Sequence, residues 1–246
     1  ILMKYDLIIV IPTLNEEKNI YNISKRLRKI KLNFFVIIVD DSNNDLTIKA
    51  VKKNFKNIKY FIIKRSKKKK SKVSSRYLAF SRGLKFACAK MKFDLLLDTD
   101  VDIGSMIDYH NKAFKIVKKY NTNFLINSKY HIKSKVINRP INRSIFSFVI
   151  NIFLRLIFSF KINDYTSIRY YSYDTCNFIN KNFRSKYSSP IGNIELLLFL
   201  IKNNKSYKHI PMNYFENRIG NSTVNFSTIV RCSIDLIKLI WKYKFK

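Results

Sequence analysis

The chain has 246 residues, enough for one substantial α/β domain with a short appendage. Its 48 Lys and Arg residues against 16 Asp and Glu residues give a formal charge of +32, which points to an anionic partner, either nucleic acid or an acidic membrane surface. The four glycines are too widely spaced for a G-x-G-x-x-G turn or a G-x-x-x-x-G-K phosphate loop, which excludes both nucleotide-binding motifs. The cysteines and histidines are scattered along the chain, which excludes a Cys/His zinc site.

The first hundred residues alternate between short apolar runs and helical patterns. The predicted strands lie at 5–12, 34–39, 59–63 and 93–97, and the predicted helices at 15–30, 45–55 and 75–91. This alternation is typical of an open, mainly parallel sheet, in which ligands bind beyond the carboxyl ends of the strands. No signal peptide is expected, because the first residues run directly into a strand.

Acidic side chains follow two of the predicted strands, at Asp40 and Asp41 and at Asp98 and Asp100. Two carboxylates separated by one residue can hold a hard divalent cation, Mg²⁺ or Mn²⁺, and Asp102 could contribute from the following turn. Such a cation neutralises the charge that develops on a departing diphosphate. The alternative is that these aspartates only form turns or cap helices.

Two later segments have an apolar face. In the segment 145–160 and just before it, polar residues recur every four positions, at Arg143, Ser147, Asn151, Arg155 and Ser159. The segment 226–241 shows a similar helical pattern and ends in Trp241 beside several lysines. Neither segment is long and apolar enough to cross a membrane, and both fit a helix lying in a membrane interface. An ordinary amphipathic core helix is an equally good interpretation of the first.

The motifs resemble those of a known enzyme family. Residues 9–17 (IVIPTLNEE), 35–42 (FVIIVDDS) and 98–100 (DTD) stand in the order and at the intervals found in family 2 glycosyltransferases. Within the family the chain is most similar to the dolichol-phosphate (polyprenyl-phosphate) mannose synthase group. That similarity rests on Asn151, residues 164–169 (DYTSIR), Glu195 and residues 218–222 (RIGNS).

The resemblance covers residues 5–225 and implies a GT-A type α/β fold, an open, mainly parallel sheet flanked by helices. We therefore expect a catalytic domain at 1–225, with an amphipathic interface segment at about 143–160, and a basic amphipathic C-terminal helix at 226–246.

The resemblance also implies roles for individual residues. Pro12, Thr13, Glu16, Asp41 and Asp98 would bind the nucleotide sugar. Asp98, Asp100 and Asp102 would hold the metal, and Asp100 and Arg218 would be catalytic. Phosphate and acceptor contacts would come from Lys129, Arg143, Arg169 and Ser222.

The chain departs from the family pattern at several places. The glycine expected after Asp41 is replaced by Ser42 and Asn43, and the usual T-S-G-F-R is shortened to residues 166–169 (TSIR). The glycine-rich stretch before the D-x-D strand is replaced by residues 75–77 (SRY). These changes fall mostly on phosphate contacts and loop flexibility.

The resemblance predicts metal-dependent, inverting transfer of a hexose, mannose or glucose, from a GDP-mannose or UDP-glucose type donor to a polyprenyl or dolichyl phosphate. The protein would work as a peripheral protein at the cytoplasmic face of an anionic membrane, with a small membrane-anchoring subunit as a further candidate partner. One alternative acceptor is a surface polysaccharide or lipid-linked glycan. A nucleic-acid-binding protein is the alternative from another class, but we expect no nucleic-acid partner, because only the charge supports one.

Overall fold

The structure is a computed structural model that describes residues 3–65, 76–101, 109–159, 161–185, 187, 189–215 and 226–244, without the side chains at 142, 143, 146, 215 and 226–229. Asp102, Arg218 and Ser222 lie outside the described residues, as does the side chain of Arg143.

The strands and helices predicted for the first hundred residues are all present, although the first helix ends at Leu27 rather than at residue 30. The described strands are β1 (Lys4–Thr13), β2 (Phe34–Asp40), β3 (Tyr60–Lys64), β4 (Lys92–Asp98), β5 (Phe124–Ser128), β6 (Lys135–Ile137), β7 (Arg169–Ser172), β8 (Tyr207–Pro211) and β9 (Asn213–Phe215). The described helices are α1 (Glu17–Leu27), α2 (Leu46–Asn54), α3 (Arg76–Lys90), α4 (His110–Tyr120), α5 (Ile141–Ile157), α6 (Tyr173–Asn182), α7 (Ile191–Lys202) and α8 (Phe226–Lys244).

The described strands form a seven-stranded sheet in the order β3-β2-β1-β4-β7-β5-β8 and a separate two-stranded parallel sheet of β6 and β9. Within the large sheet every neighbouring pair is parallel except those of β7, which is antiparallel to both β4 and β5. The direction of β5 is therefore the same as that of β4, and β7 begins at the edge of the sheet where β4 and β5 end. This architecture confirms the predicted α/β fold with a mainly parallel sheet.

Helices cover both faces of the sheet, so its central strands are buried on both sides and read as continuous apolar runs. One core contains side chains of α1, α2 and α4, and the other contains side chains of α3, α6 and α7. Gly83 of α3 permits a close approach of this helix to β1. A Cβ atom at this position would lie 2.5 Å from Cγ1 of Val10, closer than two carbon atoms can pack.

The polarity of α5 is inverted relative to a helix that covers a core. Its polar ridge faces the protein, where Asn151 is buried, while apolar side chains such as Ile145, Phe148 and Leu156 are exposed. Leu154 is buried in the core, and Ile150 packs partly against it. The interpretation of α5 as an ordinary amphipathic core helix is therefore wrong for most of its apolar side chains.

The C-terminal helix α8 also exposes apolar side chains, at Val230, Ile234, Ile237 and Trp241, and it buries Leu239. Aromatic contact between Phe158 and Tyr243 brings the carboxyl ends of α5 and α8 together. No helix within the described ranges combines the length and hydropathy that crossing a membrane requires.

Candidate active site

The carboxyl ends of β1, β2 and β4 meet at one edge of the sheet, and a buried aspartate organises the loops there. Asp40 Oδ1 accepts hydrogen bonds from Thr13 Oγ1 (2.9 Å) and from Ser42 Oγ (2.7 Å). Ser42 Oγ in turn accepts one from the backbone N–H of Asn15 at 2.8 Å. Asn15 has a φ of 54°, in the left-handed region that asparagine tolerates better than most residues. Asp40 thus fixes the turn after β1 against the turn after β2.

The expected nucleoside-binding residues surround this turn. Thr13 and Asp41 are buried, and Pro12 and Glu16 are partly exposed. The backbone N–H of Asp41 donates to the carbonyl of Thr13 at 2.9 Å, so the two strand ends lie side by side. Both carboxylate oxygens of Asp41 accept hydrogen bonds from Arg65, which follows β3. The structure therefore brings Pro12, Thr13, Glu16 and Asp41 together.

Asp98 and Asp100 form a second carboxylate pair at the end of β4, and Arg76 lies across both. Arg76 Nη1 donates to Asp98 Oδ2 at 2.9 Å, and its Nε donates to Asp100 Oδ1. Arg76 Nη2 lies 2.9 Å from Asp98 Oδ1 without the alignment of a hydrogen bond. Burial raises the pKa of Asp98, and the Arg76 charge offsets part of that effect. Burial by itself would lower the pKa of Arg76, but the two carboxylates raise it overall, so the guanidinium stays charged.

This donor set fits a divalent cation. Two carboxylates face a common point that a cationic group already occupies, and Asp98 Oδ1 has no hydrogen bond there. In the described part of the chain no group of three His, Cys, Asp or Glu side chains forms a closed metal cage. An Mg²⁺ or Mn²⁺ site with few protein ligands is one that substrate phosphates complete.

The loop before β7 reaches the same edge because β7 is antiparallel to its neighbours. Its central residue is Asp164, whose Oδ1 accepts from the backbone N–H of Thr166 (3.1 Å) and from its hydroxyl (3.0 Å). Lys129, which follows β5, places Nζ 2.9 Å from Asp164 Oδ2 in a buried ion pair. The proposed phosphate ligand Lys129 is thus already paired with a carboxylate.

Arg169 begins β7 directly opposite Asp98 in the antiparallel register. It is fully buried, and its Nη1 and Nη2 donate to the carbonyls of Asn193 (3.0 Å) and Tyr165 (2.7 Å). These bonds tie the loop before β7 to the first turn of α7. We expected Arg169 to bind the acceptor phosphate, but in the structure its guanidinium binds two backbone carbonyls of the protein.

Three residues at this edge were not predicted as site residues, namely Arg65, Arg76 and Asp164. Asp164 lay within the motif that carried the resemblance, so its position was visible in the sequence. The two arginines had only an indirect signal, because carboxylates as buried as Asp41 and Asp98 need a nearby cation. Forty-eight basic residues leave too many candidates for that rule to select two.

The fold is similar to that of solved glycosyltransferase structures. Glucosyl-3-phosphoglycerate synthase of Mycobacterium tuberculosis superposes with a TM-score of 0.65 at 12% identity, over 97% of this chain and 80% of that one. The same enzyme with Mn²⁺, UDP and glucosyl-3-phosphoglycerate gives 0.66 at 11% identity, with the same coverage of 97% and 80%. Its complex with Mg²⁺ and UDP gives 0.64 at 11% identity, over 97% and 79%. At these identities the similarity shows the fold.

Sequence comparison points in the same direction. An uncharacterised protein of Methanocaldococcus jannaschii is 32% identical over 113 residues, which are 46% of this chain and 44% of that protein. The chain thus matches less than half the length of this relative. Residues 8–176 match the sequence profile described as Glycosyl transferase family 2. That span covers more than half of the chain and includes the two carboxylate pairs at the strand ends, the arginines paired with them, and the loop before β7. The protein therefore belongs to glycosyltransferase family 2.

Proposed function

We propose that this protein transfers a hexose, mannose or glucose, from a nucleotide-sugar donor to a polyprenyl phosphate at the cytoplasmic face of a membrane. The part of the proposal that concerns the donor rests on the carboxylate edge, the edge of the sheet where Asp40, Asp41, Asp98 and Asp100 lie. The acceptor half rests on α5, whose apolar side chains face outward while its polar ridge contacts the loop before β7.

The outward face of α5 is the observation that carries the lipid acceptor. Ile141, Ile145 and Leu156 are each more than half exposed, at 77%, 58% and 63%. An exposed apolar face of this extent marks a binding surface, and the chain's charge of +32 favours an anionic lipid bilayer as its occupant.

Contacts connect this face to the candidate active site. On the other side of the same helix, Asn151 Oδ1 accepts from the backbone N–H of Tyr165 at 2.7 Å, and Asn151 Nδ2 lies 3.4 Å from Thr166 Oγ1. Tyr165 and Thr166 adjoin Asp164 in the loop that reaches the sheet edge. A lipid surface on α5 would therefore lie one helix diameter from the loop before β7.

The donor would bind along the carboxylate edge. Pro12, Thr13, Glu16 and Asp41 would contact the base and ribose, with Asp98 and Asp100 next to the diphosphate. A divalent cation held by Asp98 and Asp100 would neutralise charge on the departing nucleoside diphosphate. Asp102, Arg218 and Ser222 stay assigned to this region by resemblance alone.

The acceptor phosphate oxygen would attack the anomeric carbon of the hexose on the face opposite the diphosphate. The bond between that carbon and the diphosphate oxygen breaks, and its electron pair leaves with the nucleoside diphosphate, so the anomeric configuration inverts. The phosphate is already ionised near neutral pH, so this step needs no protein base.

The described contacts of Lys129 and Arg169 favour a positioning role for both residues. Lys129 pairs with Asp164, and Arg169 holds two backbone carbonyls. Together these contacts fix the loop before β7 and place two positive charges next to it. Arg143, at the start of α5, stays a proposed acceptor-phosphate ligand.

The donor half is tested by calorimetric binding of GDP-mannose and UDP-glucose, each with and without Mn²⁺. We expect one donor to bind with metal and the Asp100→Ala variant to lose that binding. If the folded wild-type protein binds neither sugar nucleotide nor the corresponding free nucleoside diphosphates, the transferase proposal is wrong.

The acceptor half is tested by following transfer of labelled hexose to polyprenyl phosphate in anionic vesicles, with a water-soluble phosphate monoester as the competing acceptor. The structural neighbours make this control necessary, because they were solved with phosphoglyceric acid or glycerol 3-phosphate. Transfer to the soluble acceptor alone would support the transferase activity and refute polyprenyl phosphate as the acceptor.

Vesicle co-sedimentation tests the surface itself. A triple variant, Ile145→Ser, Phe148→Ser and Leu156→Ser, should lose binding to phosphatidylglycerol vesicles and keep donor binding. The matched control is Tyr21→Ser, which removes a large exposed side chain from α1. Unchanged vesicle binding by the triple variant would show that α5 is not the lipid contact, and an anchoring subunit would then become its candidate partner.

A further inference from the structure

Arg76 contacts the two carboxylates, Asp98 and Asp100, that would hold a metal ion. Its guanidinium lies across the carboxylates of Asp98 and Asp100, with hydrogen bonds to both and an additional ion-pair contact at 2.9 Å. Both ends of the D-x-D motif are therefore engaged by one side chain. A guanidinium is planar, always charged and able to bridge two carboxylates, so this pairing is a strong one.

We propose that Arg76 is the resident cation of the D-x-D pair and that a divalent metal enters only by displacing it. The proposal rests on the metal site of the proposed function and adds a competitor from the protein's own chain. Metal binding here is an exchange of one cation for another.

Charge compensation explains why a resident cation is needed. Asp98 is only 2% exposed, and a charged carboxylate buried so deeply requires a cationic partner. Asp100 adds a second negative charge beside it. Without Arg76 or a metal, the two carboxylates would repel each other at the end of β4.

The exposure of Arg76 indicates that its side chain can leave the two carboxylates. Its side chain is 22% exposed, which leaves a path to solvent, whereas Asp98 at 2% cannot move out with it. The described hydrogen bonds of the Arg76 guanidinium go to Asp98 and Asp100. The carboxylates are therefore what hold the guanidinium in place.

The sequence around Arg76 indicates that a resident arginine at the D-x-D pair is particular to this chain. Residues 75–77 (SRY) replace the glycine-rich stretch expected before the D-x-D strand. Glycine at this position would leave the carboxylates without a side-chain cation. The arginine thus gives the site a charge balance that does not depend on bound metal.

The test measures binding of Mn²⁺ alone, by electron paramagnetic resonance, to the wild type and to Arg76→Gln. We expect Arg76→Gln to bind Mn²⁺ about tenfold more tightly or better. In this variant Mn²⁺ no longer has to break the hydrogen bonds of Arg76, and a hydrogen bond to a charged group is worth about tenfold or more in an equilibrium constant. Arg76→Lys keeps the charge and loses the planar fork, so its affinity should fall between the two.

Arg65→Gln is the matched control, because it removes the same charge from the neighbouring pair with Asp41 and leaves the D-x-D pair intact. We expect its Mn²⁺ affinity to stay close to that of the wild type. The Asp100→Ala variant should lose the Mn²⁺ site in either background, which assigns the signal to the D-x-D pair.

Thermal unfolding gives a second readout that needs no substrate. Arg76→Gln should melt lower than the wild type without metal, and Mn²⁺ should raise its melting temperature by more than it raises that of the wild type. A folded Arg76→Gln protein that binds Mn²⁺ no more tightly than the wild type overturns the exchange. Failure of the proposed function would appear separately, as absent donor binding with Mn²⁺ affinities still ordered as predicted.

Discussion

The inverted polarity of α5 predicts an unusual order of mutational effects. On a helix that covers a core, exchanging an apolar residue for serine is costly and truncating a polar residue is cheap. On α5 the order should reverse, with Asn151→Ala destabilising the protein and Ile145→Ser leaving its stability nearly unchanged.

The magnitude follows from the contacts of the two side chains. Asn151 is buried and accepts from the buried backbone N–H of Tyr165 at 2.7 Å. An orphaned buried N–H costs about 1–3 kcal/mol, and the better helix propensity of alanine returns about 0.5 kcal/mol. We therefore expect Asn151→Ala to lose about 1–2 kcal/mol. Ile145 is 58% exposed, and substitutions at such surface positions usually stay within about 0.5 kcal/mol.

The assay is equilibrium urea unfolding of both variants without lipid, followed by circular dichroism. Ser147→Ala serves as a control on the polar ridge. The described contact of its hydroxyl is with the partly exposed Tyr130 hydroxyl, so its loss should cost less than that of Asn151. If Ile145→Ser loses more free energy of unfolding than Asn151→Ala, the apolar face of α5 is packed against protein and the reasoning fails.

Three further predictions concern stability. Gly83→Ala should lower the melting temperature, since overpacking against Val10 costs about 1–3 kcal/mol and the gain in helix propensity is about 1 kcal/mol; adding Val10→Ala should recover part of the loss, and additive effects would contradict the contact. Burial lowers the pKa of His110 to about 3, so below about pH 6.5 the unfolded chain binds a proton that the native protein does not, and stability falls by up to about 1.4 kcal/mol per pH unit between these values. His110→Gln should flatten that slope in urea unfolding at pH 7.5 and 5.5, and an unchanged slope would count against a neutral buried imidazole. Lys242→Ala leaves the buried Glu195 without the ion pair that joins α8 to α7, at a cost of about 1–2 kcal/mol after allowance for the exposure of Lys242; limited proteolysis should then release α8, and adding Glu195→Gln should restore protection.

The parallel half of the sheet could be predicted because its signal is local. The strands β1, β2 and β4 are continuous apolar runs, and each helix between them has an apolar stripe, so pattern and structure agree. The acids at the ends of β2 and β4 were a local signal too, because each pair stands directly at the end of an apolar run, and they predicted a ligand site at this edge. In this region the sequence predicts both the elements and the edge of the sheet where the candidate site lies.

The second half of the sheet was harder to predict from the sequence, because its strands pair with segments that are distant in the chain. The antiparallel strand β7 is only four residues long, and its partners in β4 and β5 lie more than forty residues away in the chain. The helix α7 is buried on nearly all sides and so lacks the amphipathic period that identifies a surface helix. Neither element has a short-range pattern that sets it apart.

The pairing of site residues was the least predictable feature. The type of a residue indicates what it can bind, but its partner depends on tertiary contacts. Lys129 looked like a phosphate ligand and is paired with Asp164, and Arg76 looked like a substituted glycine position and is paired with two aspartates.

The inverted polarity of α5 also has a practical consequence for preparing the protein. In the absence of lipid, the outward face of this helix offers apolar surface to other copies, and concentrated samples should self-associate unless a mild detergent is present. Because Ile145 and Leu156 are largely exposed, serine or glutamate at these positions should yield a monodisperse protein with an intact donor site. Such a variant would be the form of choice for crystallisation.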